Sequence, residues 1–132
     1  MFHLLEGTGI MVTGSSTGGS ITGSQFSSLG EGGIALIGTC DGMDCTKGTQ
    51  PKQYTISQCL ISDWGVWGKQ TSAVFESVSW NNTFDRLVTF GGPRNVINLN
   101  DGMGGGTTLS RTLGFNVVLE TSDNGFLNTW DR

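Results

Sequence analysis

The sequence predicts an all-β fold: one small β-sandwich or barrel, jelly-roll variants included, with little or no helix. Three observations lead there. Gly, Ser, Thr and Asn recur every few residues, which breaks helical propensity. Apolar residues fall in short runs or alternate with polar ones, the strand pattern. Turn residues punctuate the chain about every ten residues, the rhythm of sandwiches and barrels. A chain of 132 residues fits a single domain spanning 1–132.

The elements follow in order. Ile10–Thr13 and residues 33–39 read as strands from their apolar runs. Residues 53–62 alternate, with Tyr54, Ile56, Gln58 and Leu60 on one face and Thr55, Ser57, Cys59 and Ile61 on the other, so one strand is expected. Residues 72–80 fit a strand, with Val74, Glu76, Val78 and Trp80 aligned, or a short helix grouping Val74, Phe75 and Val78. Residues 86–90 and 95–99 flank a Gly91-Gly92-Pro93 turn. Residues 115–121 and 126–130 flank Ser122-Asp123-Asn124-Gly125, whose residues tolerate the positive φ of a tight hairpin. Asp41-Gly42 and Asp101-Gly102 are further turn signals. No clean internal repeat is visible: the Thr-Gly recurrences near Thr8, Thr13, Thr17 and Thr22 are unevenly spaced.

Gly, Ser and Thr supply 51 of the 132 residues, while only 14% are charged, against about 25% in ordinary domains. Leu, Ile, Val and Phe make up 25%, above the ~20% typical of disorder, and the net charge of −4 is small. A folded chain with a thin core and a hydroxyl- and amide-rich surface is expected. Residues 14–33 are the most Gly/Ser/Thr-rich stretch. They read as an extended arm or loop within the domain, with Ile21, Phe26 and Leu29 as docking anchors. Residues 102–106 read as a second flexible loop.

All net charge lies in residues 1–46, which hold Glu6, Glu31, Asp41 and Asp44 and no Lys or Arg. A solvated acidic face is the simpler reading, a docking segment for a basic partner the sharper one. With only seven Lys and Arg against eleven acids, nucleic acid is not an expected partner. No apolar run approaches a membrane span. Met1 to Gly7 shows no basic n-region and Glu6 breaks its apolar run, so no signal peptide is predicted.

Catalytic and cofactor motifs are few. His3 is the only histidine and has no nucleophile elbow or cysteine-protease signature to work with. Cys40, Cys45 and Cys59 suit reduced, buried thiols. A Cys40–Cys45 bridge across Asp41-Gly42 is sterically compatible, and a zinc set completed by His3 lacks standard spacing. Gly102-Met103-Gly104 lacks the Lys of a phosphate loop, and Asp41, Asp44, Asn98, Asn100 and Asp101 lack calcium-loop spacing. No cofactor or metal is expected, and the chain reads as a non-enzyme. Asn81-Asn82-Thr83 is a glycosylation sequon with no secretory route to use it.

Aromatics remain. Trp64-Gly65-Val66-Trp67-Gly68 places two tryptophans on opposite sides if extended, so one is expected outside as an interface anchor or a sugar-stacking ring. Trp80 and Trp130 read as packing residues. Candidate contact residues are therefore Trp64, Trp67, Ile21, Phe26 and Leu29. In composition the chain resembles small structural proteins of phage and virus particles, such as capsid cement or decoration proteins and fibre domains. That resemblance implies an oligomeric virion protein, assembled in the host cytoplasm and contacting itself and a major capsid or other virion protein. The alternative is a carbohydrate-binding module, lectin-like or fibre receptor-binding, using exposed Trp and loop Asn and Asp.

Overall fold

A computed structural model describes residues 1–101 and 105–130. Sixteen strands occur and no helix is found among the described residues. The chain winds as a parallel β-helix, each turn laying one strand on each of three faces. The first turn is β1 (Phe2–Leu5), β2 (Ile10–Thr13) and β3 (Ser20–Thr22). The second is β4 (Gln25–Leu29), β5 (Ile34–Ile37) and β8 (Thr55–Ser57), interrupted by a hairpin of β6 (Thr39–Asp41) and β7 (Asp44–Thr49). The third is β9 (Leu60–Ser62), β10 (Val74–Ser77) and β11 (Thr83–Asp85). The fourth is β12 (Val88–Phe90), β13 (Ile97–Asn100) and β14 (Thr108–Ser110). β15 (Leu113–Phe115) and β16 (Leu127–Trp130) follow. The first face stacks β1-β4-β9-β12-β15, the second β2-β5-β10-β13-β16, the third β3-β8-β11-β14, every pair parallel.

The all-β expectation is met, and residues 72–80 form strand β10 rather than a helix. The sandwich or barrel is replaced by open, parallel, coiled sheets. Two expected hairpins dissolve for the same reason. The strands around Gly91-Gly92-Pro93 and around Asp123-Asn124-Gly125 pair with strands one turn away, not with each other, so those turns are corners between faces. Residues 53–62 form two strands: Gln58 takes a φ of 55° and turns the chain between the third and first faces. Only Asp41-Gly42 makes an antiparallel hairpin among the described residues. The Asp101-Gly102 turn and the loop expected at 102–106 involve residues 102–104, which lie outside the described residues.

The stretch 14–33 is a working part of the coil rather than an arm. It holds β3 and β4, and Phe26 and Leu29 are fully buried. Alignment of turns also exposes a repeat. Ser20-Ile21-Thr22-Gly23-Ser24-Gln25-Phe26-Ser27 stacks in register on segments beginning at Thr55, Thr83 and Thr108. Each segment crosses its corner through one left-handed residue: Gly23, Gln58, Arg86 and Arg111, all with φ between 49° and 58°. The spacings of these segments, 35, 28 and 25 residues, are unequal because loops of different length intervene.

In-register stacking builds the core as ladders. Ile10, Ile34, Val74, Ile97 and Leu127 form one, and Ile21, Ile56, Phe84 and Leu109 another. Inner rungs are sealed by neighbours on both sides, whereas Leu109 and Leu127 on the last turns stay 37% and 45% exposed. Phe2 stacks on Phe26 at 4.8 Å and caps the first face. The accessible surface, 6595 Å², matches the roughly 6,700 Å² expected of a folded chain this size.

Candidate functional site

The loops between strands differ from corner to corner, and they decide where cavities form. Between the second and third faces, the second turn inserts the β6–β7 hairpin, and the fourth carries Asp101 and residues 105–107 among those described. The third turn crosses the same corner through residues 78–82. Two recesses open near this corner, the first walled in part by residues 78–80 and the second by residues 105–107.

The first, about 440 Å³, lies between the hairpin and the coil, walled by Met43, Asp44, Gln50, Val78, Ser79 and Trp80. Cys40 and Cys45 are joined by a disulfide that closes the hairpin, with Cα atoms 4.4 Å apart, leaving only Cys59 as a free and buried thiol. The expectation of three reduced cysteines is therefore corrected: the Asp41-Gly42 turn brings two of them together. The Lys52 ammonium sits 5.4 Å from the centre of the Trp80 ring, a cation–π contact that orients the indole.

The second recess, about 250 Å³, is walled by Glu76, Leu99, Thr107, Thr129 and Trp130. Glu76 occupies an inward ladder position between Leu36 and Leu99 and is only 4% exposed. Thr107 Oγ1 donates to Glu76 Oε1 at 2.8 Å, while Oε2 is buried without a hydrogen-bond partner. Burial pushes the Glu76 carboxyl up to about 6, against the lowering effects of the Thr107 hydroxyl and the Asn82 amide. Trp130 stands at the mouth, 64% exposed, contrary to its expected packing role. The 78–82 segment is held by Asn82: its Nδ2 donates to Ser79 Oγ at 2.7 Å and its Oδ1 accepts the Tyr54 N–H at 2.9 Å. Ser79 in turn donates to the Pro51 carbonyl at 2.7 Å. Such a satisfied buried network fixes the geometry of this corner.

The residues singled out from sequence are dispersed. Trp64 is 1% exposed, its indole packed so closely over Gly92 that a Cβ there would fall 2.0 Å from the ring. Trp67 is 75% exposed and borders a separate small recess with Leu4, Glu6 and Val66. Ile21 is half-buried in its ladder, and Phe26 and Leu29 are core. Of the five, only Trp67 presents a large exposed surface. His3 lies on β1 with Nδ1 2.9 Å from Ser27 Oγ. Among the described residues no group of three or more His, Cys, Asp or Glu side chains is placed to hold a metal ion.

Two further surface features stand out. On the outer side of the first face, Leu60, Val88 and Leu113 line up in register beside Phe90 and Phe115, whose rings stack at 5.0 Å. Val88, Leu113 and Phe115 are 37%, 57% and 46% exposed, forming an apolar stripe. At the corner above it, Asp85 accepts from Arg111 Nε and Nη2 and from Arg86 Nε, each at 2.8 Å, and from Ser110 Oγ at 2.7 Å. The Arg111 hydrogen bonds, followed by that of Ser110, hold the Asp85 carboxyl down to about 2.

A depressed carboxyl supports the fold while it is ionised. Its contribution is fully present above about pH 4 and is lost as pH falls toward 2. Asp85→Asn should therefore lower the melting temperature near neutral pH, with the gap to the parent closing on acidification. A gap independent of pH would refute this assignment.

Searches against protein-family models, curated proteins and solved structures find no match to this chain.

Proposed function

We propose that this chain is a non-enzymatic, saccharide-binding β-helical module whose ligand lies along the corner between the second and third faces. The observation carrying this reading is Trp130, an exposed indole over a recess walled by Glu76, Thr107 and Thr129. An aromatic plane beside carboxylate and hydroxyl groups matches a sugar ring, which offers an apolar face and a hydroxyl rim. Trp80 and the hairpin groove extend the same corner, with Asp44, Gln50 and Ser79 as polar contacts. Parallel strands repeating about every 4.8 Å give a stiff, linear platform, suited to a chain-like ligand. The Cys40–Cys45 disulfide suits work in oxidising surroundings, where extracellular and virion surfaces lie. The test is a glycan array followed by titration of hits. Trp130→Ala should weaken binding by roughly tenfold or more, while Trp67→Ala should leave it unchanged. No hits, or the reverse order of effects, would refute the reading.

A second reading keeps the chain as a structural protein of a virus or phage particle, a capsid cement, decoration or fibre component acting through protein contacts. The apolar stripe of Leu60, Val88, Leu113, Phe90 and Phe115 favours it, since a contiguous exposed apolar patch marks an interaction surface. Its occupant in this reading is a second copy of the chain. Leu113→Asp with Phe115→Asp should then shift an oligomer to monomer in sedimentation. A parent protein that is monomeric at all concentrations would remove it.

A further inference from the structure

We propose that the recess beside Trp130 selects a sugar bearing a free amine, its ammonium group pairing with the Glu76 carboxylate. The inference deepens the saccharide reading above and rests on it. Glu76 Oε2 is a buried acceptor with no partner, and the side chain is 96% removed from solvent. An unpaired buried carboxylate costs free energy that a cationic ligand would offset. Among the described residues no Lys, Arg or His lines the recess, so none of them competes for that charge.

Among the described residues the Glu76 carboxyl is the sole charge at the base. Leu36 and Leu99 flank it on the neighbouring strands, and the side chains of Thr107 and Asn82 meet it from the corner segments. The next acid, Asp101, is engaged by the Ser77 hydroxyl at 3.5 Å. Trp130 adds an indole face, which attracts a cation as well as a sugar ring. The volume, about 250 Å³, lies below the drug-sized range that begins near 300 Å³ and suits a single ring.

Calorimetric titration compares a β-1,4-linked glucosamine tetramer, its fully N-acetylated form and the unsubstituted glucose tetramer. Acetylation removes the charge and keeps the ring, so it isolates the ammonium. The parent protein should bind the free-amine tetramer roughly tenfold more tightly than either neutral tetramer. Glu76→Gln, which preserves an acceptor for Thr107, should abolish that preference. Trp130→Ala should weaken all three ligands that bind. Equal binding of all three, or a preference that survives Glu76→Gln, would overturn the ammonium assignment and leave the saccharide reading standing. Binding of none, with no other hit on the glycan array, would overturn both.

Discussion

Phe84→Ala should lower the free energy of unfolding by about 3–5 kcal/mol, the usual cost of emptying a fully buried aromatic site. Phe84 is 0% exposed and lies mid-ladder, between Ile56 below and Leu109 above. Neighbouring turns are held in register by the strand ladders, so they have little freedom to collapse into the gap. Against the 5–15 kcal/mol total of an ordinary domain, the loss is a large fraction. Leu109→Ala, on the same ladder but 37% exposed, should cost clearly less. Urea denaturation of both variants checks the pair. Equal losses would mean that the ladder is not sealed from the inside outward.

Glu76→Gln should stabilise the protein near pH 7 by about 2 kcal/mol. The Glu76 carboxyl is raised from 4.5 to about 6 in the fold, chiefly by burial. The folded state then holds its proton more tightly than the unfolded state does. Stability consequently falls as pH rises from about 4.5 through 6 and stays reduced above that. A neutral amide escapes the loss, so the two proteins should converge near pH 4. Denaturation curves at both pH values test this, and a difference that does not change with pH would contradict it. The destabilising carboxylate is the same group proposed to receive a cationic ligand, a pairing of local cost and binding often found at functional sites.

Several strands were legible in the sequence alone. Ile10–Thr13 is a strand with the expected bounds, and β5, β12, β13 and β16 fall inside or close to expected runs. The Asp41-Gly42 turn was equally readable, because positive-φ residues between short polar strands have few other uses. The site was less legible. Trp130 gave no signal of exposure, since alternation along β16 does not say which phase faces out; the stack does, by placing Leu127 in the inner ladder and Trp130 in register with Asn100. The Trp64–Trp67 pair could be split into an inner and an outer residue by alternation, but not assigned, because Gly92 lies far away in sequence.

The repeat marks the boundary most clearly. The corner segments at Ser20, Thr55, Thr83 and Thr108 are chemically alike but unevenly spaced, so no fixed period exists along the chain. Local sequence therefore determined composition, strand-forming runs and turn residues, all of which depend on contacts between close neighbours. Pairing partners were decided only by the coil. Outside the β6–β7 hairpin, each strand pairs with residues 23 or more positions away, and side-chain alternation is the same whether a strand pairs parallel or antiparallel. Which end of a corner becomes a wall and which becomes a recess likewise follows from the lengths of inserted loops in adjacent turns. For that reason the Gly, Ser and Thr surplus announces many turns but not that they stack, and the Glu76–Trp130 recess exists only where the stack brings them together.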